Sequence, residues 1–261
     1  VLVDGTVVGD ASATVLDNQT VTQDFAFNGS SLQVSILDSG VAGVAGAAQT
    51  LDANLTNTGE LPANQTVTLD WGNGTYTSTA AVVVAGGSSV TETLSITTDA
   101  GQAIGFYTAE VASEDDTDTV EATLAPERSI NASEVPAGGT VEVTVSGQIG
   151  SLSTVDLADE WSPAVNSSAQ EVSSTFPVGF RLLTSDSVAV AFDENSGNFE
   201  YVYQYDVSPD ATAGSVYEWQ PLQGGDGSAL QVDGTPFPIL GDESFEIAET
   251  VDDIVLDSVS S

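Results

Sequence analysis

Lysine, histidine, cysteine and methionine are absent from the 261 residues, and Arg128 and Arg181 are the only basic side chains. Each absence removes a class of chemistry. Without histidine or lysine, the usual nucleophilic triad has no general base. Without histidine and cysteine, tight zinc or copper sites lose their ligands. Without cysteine there is neither disulfide nor thiolate chemistry, and a secreted protein can do without either. No P-loop motif or other Gly-rich phosphate loop opens a helix. The chain has no basic patch to bind a nucleic-acid backbone, and anionic membrane surfaces would repel it. No apolar run reaches the roughly 18 residues of a membrane span. No stretch combines helix caps with helical periodicity, so no helix is expected. Paired carboxylates can hydrolyse glycosides, but among 39 acids any given pair is uninformative. We expect no catalytic residue and no enzyme.

What is present is acid. The 39 Asp and Glu give a formal net charge of −37. The Debye length is about 10 Å at 0.1 M salt and about 3 Å at 1 M. Such a chain repels itself in dilute buffer and is suited to molar salt. It is not read as disordered, because 41% of its residues are hydrophobic, enough to build a core.

Apolar and polar residues alternate with the two-residue period of half-buried strands. Val141, Val143 and Val145 share one face, as do Val67, Leu69 and Trp71. Phe199, Tyr201, Tyr203, Tyr205 and Val207 form the longest series. This aromatic stripe is expected to line the inside of a sandwich rather than a ligand platform, and buried tyrosines need hydroxyl partners. Residues 104–111, 119–124 and 243–248 read as further strands. Turn sequences separate them, among them Asn57-Thr58-Gly59, Ala85-Gly86-Gly87 and Pro136-Ala137-Gly138-Gly139. The expected fold is all-β, two tandem Ig-like β-sandwiches. Residues 1–29 are expected to form an extended N-terminal segment, 30–124 the first sandwich, 127–250 the second and 251–261 a tail. Ala125-Pro126-Glu127-Arg128 reads as the linker.

The stretch Ala53-Asn54-Leu55-Thr56-Asn57-Thr58-Gly59-Glu60 resembles the "v-x-N-x-G" turn of CARDB-like adhesion domains. The resemblance runs through Val67-Thr68-Leu69 to Gly105-Phe106-Tyr107-Thr108-Ala109-Glu110-Val111 and covers roughly residues 30–124. The second half, with Val135-Pro136-Ala137-Gly138-Gly139-Thr140-Val141, is similar to Ig-like modules of haloarchaeal surface proteins. The resemblance implies a cell-surface setting and an adhesion-type fold, not an activity. The chain opens Val1-Leu2-Val3-Asp4, and we expect a mature, exported product.

Seven Asn-x-Ser/Thr sequons fit that setting, at Asn18, Asn28, Asn54, Asn64, Asn73, Asn131 and Asn166. N-linked glycan at such sites is bulky and confined to the surface. Asn73-Gly74 and Asn28-Gly29 carry hairpin-turn chemistry, Asn64 and Asn166 lie in turn-like stretches, and Asn54 lies in a strand-like one. Two acidic turns are candidate Ca²⁺ or Mg²⁺ ligand sets, since hard cations need clustered oxygens. One holds Glu114, Asp115, Asp116 and Asp118, and the other Asp193 and Asn195. Neither is a full EF-hand loop, and a solvated acidic turn is the simpler reading.

The β-prone start, with Val1, Leu2, Val3, Val7 and Val8, is a candidate donor strand for a neighbour's sheet edge. Repeated head to tail, that contact makes a filament. The function expected from sequence is therefore a glycosylated extracellular subunit of a surface filament, pilus-like fibre or surface layer, with itself as partner. The alternatives are a monomeric surface adhesin or carbohydrate-binding module, or a surface protein of a virus infecting the same hosts.

Overall fold

The computed structural model describes residues 29–72, 74–162, 167–223 and 227–248, with the backbone of 2–3 and 6–7. Every regular element among them is a strand. In chain order these are β1 (Leu2–Val3), β2 (Thr6–Val7), β3 (Leu32–Ile36), β4 (Val41–Val44), β5 (Ala48–Asn57), β6 (Ala63–Trp71) and β7 (Tyr76–Val84). Then come β8 (Ser89–Thr97), β9 (Gly105–Ala112), β10 (Thr117–Ala125), β11 (Glu127–Ile130), β12 (Glu134–Val135), β13 (Thr140–Ser162) and β14 (Gln170–Ser174). The last are β15 (Val178–Leu183), β16 (Ser187–Asp206), β17 (Val216–Trp219), β18 (Ala229–Val232), β19 (Thr235–Pro238), β20 (Leu240–Gly241) and β21 (Ser244–Ile247). The chain divides into two compact units. The first takes residues up to Ala42, Ala48–Thr98 and Phe106–Thr123. The second takes Gly43–Ala47, Asp99–Gly105 and the chain from Leu124 on.

The N-terminal strands pair with each other, Leu2 opposite Val7 and Val3 opposite Thr6. The dipeptide between them, Asp4-Gly5, is a strong hairpin-turn sequence. The donor role of this segment rests on no contact described here beyond those two pairs. Val1 and Val8 lie outside the described residues.

The first unit has a three-stranded sheet in the order β3-β5-β8 and a five-stranded sheet in the order β4-β10-β9-β6-β7. Alternate residues are buried on each. β5 turns Leu51, Ala53 and Leu55 inward, and β6 turns Val67, Leu69 and Trp71 inward. The Asn57-Thr58-Gly59 turn is pinned by one side chain. Buried Asn57 donates from Nδ2 to the carbonyls of Leu61 (2.7 Å) and Val84 (3.0 Å). Its Oδ1 accepts the N–H of Ser31 (3.2 Å) and of Gly59 (3.0 Å). Both amide hydrogens and both acceptor directions are used. Gly59 is required by close approach, since a Cβ there would lie 1.8 Å from the Gly29 carbonyl oxygen. Asn57→Ala leaves four backbone groups short of a partner, those of Gly59 and Val84 buried. It is expected to destabilise the first unit by about 3 kcal/mol, read as a lower denaturation midpoint of that unit.

The second unit is built on one hairpin. β13 has 23 residues and β16 has 20, paired antiparallel from Thr140↔Asp206 to Glu160↔Ser187. It cannot be straight. A seven-residue strand step covers about 23 Å, yet the rings of Phe192 and Phe199 are 5.2 Å apart and Trp161 stacks on Tyr205 at 4.9 Å. The hairpin folds back on itself and lines both sides of one core. The fold sits where the register slips, between Ile149 and Val155. There Gly197 takes a positive φ of 102°, open to glycine without steric cost. The slip moves the buried set of β16 from Val188, Val190 and Phe192 to Phe199, Tyr201, Tyr203 and Tyr205. The aromatic stripe is therefore core, as the alternation predicts.

Two sequence-based readings are corrected here. Ala125–Arg128 is not a free linker. Ala125 and Arg128 are buried, and β11 pairs with β13 through Arg128↔Val145. The acidic stretch at Asp193–Asn198 is not an isolated turn but the bulged middle of β16, with Asn195 opposite Ser153. The sequence looked loop-like because a bulge breaks the alternation that marks a strand.

Candidate functional site

The acidic cluster spans the turn between β9 and β10, with Asp115 and Asp116, and the start of β10, with Asp118, and its carboxylates are engaged with backbone. Asp115 Oδ2 accepts the N–H of Leu32 (2.9 Å), Asp116 Oδ2 that of Val34 (3.0 Å) and Asp118 Oδ2 that of Ile36 (2.8 Å). Beneath the turn, buried Gln65 donates to Asp115 Oδ2 (2.5 Å) and accepts the Glu114 N–H (3.3 Å). These bonds hold the Asp115 carboxyl below its ordinary range, the Leu32 N–H contributing most and Gln65 next. A depressed carboxyl contributes stability above its unfolded value. That contribution is lost as pH falls through the lowered folded value. At the other acidic stretch, Asn195 Oδ1 accepts the Ser196 N–H (2.8 Å) and the Asp193 N–H goes to the Pro177 carbonyl (3.0 Å). Among the described residues, no three acids converge as a metal-holding group.

The sequons are dispersed. Asn64 is exposed on β6, directly opposite exposed Val83 of β7, so it lies in a strand and not in a turn. Asn131 is exposed just after β11, where its Oδ1 accepts the Glu142 N–H (3.0 Å). Asn54 is half-buried in β5, as its strand-like context predicts, and its Nδ2 donates to Thr56, the hydroxyl of its own sequon (3.3 Å). Asn18, Asn28, Asn73 and Asn166 lie outside the described residues.

The most polar part of the interior was not anticipated. On β13 the inward series Val155, Leu157, Asp159, Trp161 places one carboxylate among apolar side chains, and Asp159 is fully buried. Arg128, also buried, forms a two-pronged ion pair with it: Nη2 donates to Oδ1, and Nε to Oδ2 (3.2 Å). The third prong, Nη1, donates to the Asp242 carbonyl (3.2 Å). Tyr203 donates its hydroxyl to Asp159 Oδ2 (2.6 Å) and accepts from Trp219 Nε1 (3.2 Å). The guanidinium lies 4.8 Å over the Trp219 ring, within cation–π range. The centre joins β11, β13, β16 and β17. Its groups are satisfied and shut off from solvent, so it is built to hold strands together rather than to react. The sequence signal was available: an acid in an apolar slot of a period-two series, in a chain with two cations to meet it.

Burial is the main reason that the Tyr203 phenol is pushed far above its ordinary value, with the Asp159 charge next. Burial raises Tyr201 and Tyr205 as well. Their neutral forms support the fold fully below about pH 10 and lose that support as pH rises further. The stripe also contains a contrast. Among the described residues, Tyr205 Oη has no hydrogen-bond partner, whereas Tyr203 Oη has two. Tyr205→Phe is expected to leave stability unchanged or raise it. Tyr203→Phe is expected to cost about 1–3 kcal/mol, and paired denaturant titrations distinguish the two.

The second cation is also used internally. Arg181 Nη1 on β15 pairs with Glu171 of β14 at 2.6 Å. On either side of Arg181, Phe180 and Leu182 are exposed. Cross-strand register sets them opposite Ala191 and Ala189, and Ala189 opposite Ala158. Two large apolar side chains thus border a shallow floor of alanines on the outer face of the sheet.

No family model matches the chain, and no curated protein does. Among solved structures the matches are distant. The sixth cohesin of scaffoldin B from Acetivibrio cellulolyticus is 14% identical over 47% of this chain and 99% of its own, with a TM-score of 0.29. A type III cohesin module of the ScaE cell-surface anchoring scaffoldin of Ruminococcus flavefaciens is 13% identical over 48% of this chain and 88% of its own, at 0.32. The type II cohesin dyad of the ScaA scaffoldin of A. cellulolyticus is 10% identical over 85% of this chain and 100% of its own, also at 0.32. Scores at this level fix neither topology nor activity.

Proposed function

We propose that this chain is a non-enzymatic structural subunit of an extracellular surface assembly that works in concentrated salt. The observation that carries the reading is the fate of its two cations. Arg128 is buried against Asp159 and Arg181 is bound by Glu171, so among the described residues no arginine is left over to offset the other acids. A surface of one sign is tolerable where screening is short-ranged. In such salt, like-charged copies can approach closely. The finer reading is a filament or surface layer joined through strand edges and carrying N-linked glycan at sites such as Asn64 and Asn131. β7 suits that contact. It ends the five-stranded sheet, pairs along nine residues with β6, and exposes Val83. Sedimentation in multimolar salt tests the reading. Species that grow with concentration beyond the 26.6 kDa chain support it, and a monomer at every concentration and salt overturns it.

One feature favours a second reading, a surface-displayed binding module. The exposed Phe180 and Leu182 beside the alanine floor form the kind of apolar patch that marks interaction sites. A monomer in sedimentation whose target binding is lost in Phe180→Ser would select this reading.

A further inference from the structure

β3 is the end strand of its sheet. It pairs with β5 from Leu32↔Asn57 to Ile36↔Ala53, and no strand adjoins its other side among the described residues. A bare edge of this kind presents alternate N–H groups as a template for another chain. Here the N–H groups of Leu32, Val34 and Ile36 are all taken, by Asp115, Asp116 and Asp118 in turn. The donors recur every second residue, which is the repeat of a β-ladder. Three side-chain oxygens therefore stand where the carbonyls of a neighbouring strand would stand. Gln65, buried below, fixes the turn that carries them.

We propose that the β9–β10 turn together with the start of β10 is a built-in edge guard, a side-chain substitute for a strand that closes β3 against strand addition by a second copy of this chain. The need for it follows from the solvent. In dilute buffer, net charge keeps acidic copies apart. At molar salt the Debye length shrinks to about 3 Å, and repulsion no longer protects a bare edge. A guard made of direct side-chain hydrogen bonds acts at contact distance, where screening matters least. The inference does not depend on the filament reading. If filaments form, it directs their strand contacts away from β3.

The test compares wild type with Asp115→Ala/Asp116→Ala/Asp118→Ala and with the matching triple Asn variant, all in about 3 M salt. In dilute protein, the Leu32, Val34 and Ile36 amides of the Ala triple should exchange at least about tenfold faster than in wild type. In concentrated protein, the Ala triple should sediment as larger species than wild type, with those amides protected again. The Asn triple keeps three acceptor oxygens without charge and should match wild type in both measurements. Unchanged exchange in the Ala triple overturns the proposal, and so does faster exchange without added association. Association of the Asn triple equal to that of the Ala triple also overturns it, because charge and not hydrogen bonding would then be the guard. Should the Ala triple fail to fold, Asp116→Ala alone opens the Val34 N–H and is judged by the same two measurements.

Discussion

Moving the protein from about 3 M to about 0.1 M salt is expected to lower the melting temperature of both units by at least about 20 °C. Net charge of −37 on 261 residues drives the effect. Neither arginine offsets it at long range, because each is already bound to a carboxylate of the same chain. Screening acts on every exposed pair of acids at once, and lengthening the Debye distance to about 10 Å restores their mutual repulsion. For units of this size a shift of 20 °C corresponds to about 5 kcal/mol each, at a few degrees per kcal/mol. Thermal melts followed by circular dichroism across a salt series measure it. A neutral osmolyte at matched water activity should not substitute for salt. Melting temperatures flat across the series would show that the charge is not the governing term.

Arg128→Ala and Asp159→Ala are each expected to destabilise the second unit by about 3–5 kcal/mol. Either change leaves a buried charge without its counter-ion. The loss of Asp159 also strands the Tyr203 hydroxyl, and the loss of Arg128 removes the cation over Trp219. Replacing both partners by apolar residues, Arg128→Met with Asp159→Leu, should cost less than either single change. A desolvated pair can be exchanged for packing, whereas a half pair cannot. A double-mutant cycle in urea at fixed high salt measures the coupling. Unlike the first effect, this one should be nearly independent of salt, since the pair is sealed from mobile ions. Single variants within about 0.5 kcal/mol of wild type would contradict the role given to the centre.

The strands and their inward faces were readable where alternation ran unbroken. Val67, Leu69 and Trp71 are buried as the two-residue period predicts, as are Val141, Val143 and Val145 and the stripe from Phe199 to Val207. What stayed hidden was long-range. The bulge in the middle of β16 shifts its buried set by one residue, so Val188, Val190 and Phe192 do not continue the stripe's phase, and only the second half of the long strand stands out in the sequence. Arg128 follows Pro126, and that local chemistry suggests a linker. The partner that makes it core lies 31 residues on. The acidic turn was visible as a cluster, and clustered oxygens suggest a cation. The N–H of Leu32 that one of its carboxylates accepts is 83 residues back, and no local rule connects them. The proposed function is harder still to read from sequence, because a structural subunit would carry no catalytic constellation to find.

Electron microscopy of natively purified protein in multimolar salt tests the structural-subunit account most directly. The account predicts continuous fibres or ordered lattices that dissolve into single particles as salt is withdrawn. Dispersed single particles at every salt concentration would contradict it.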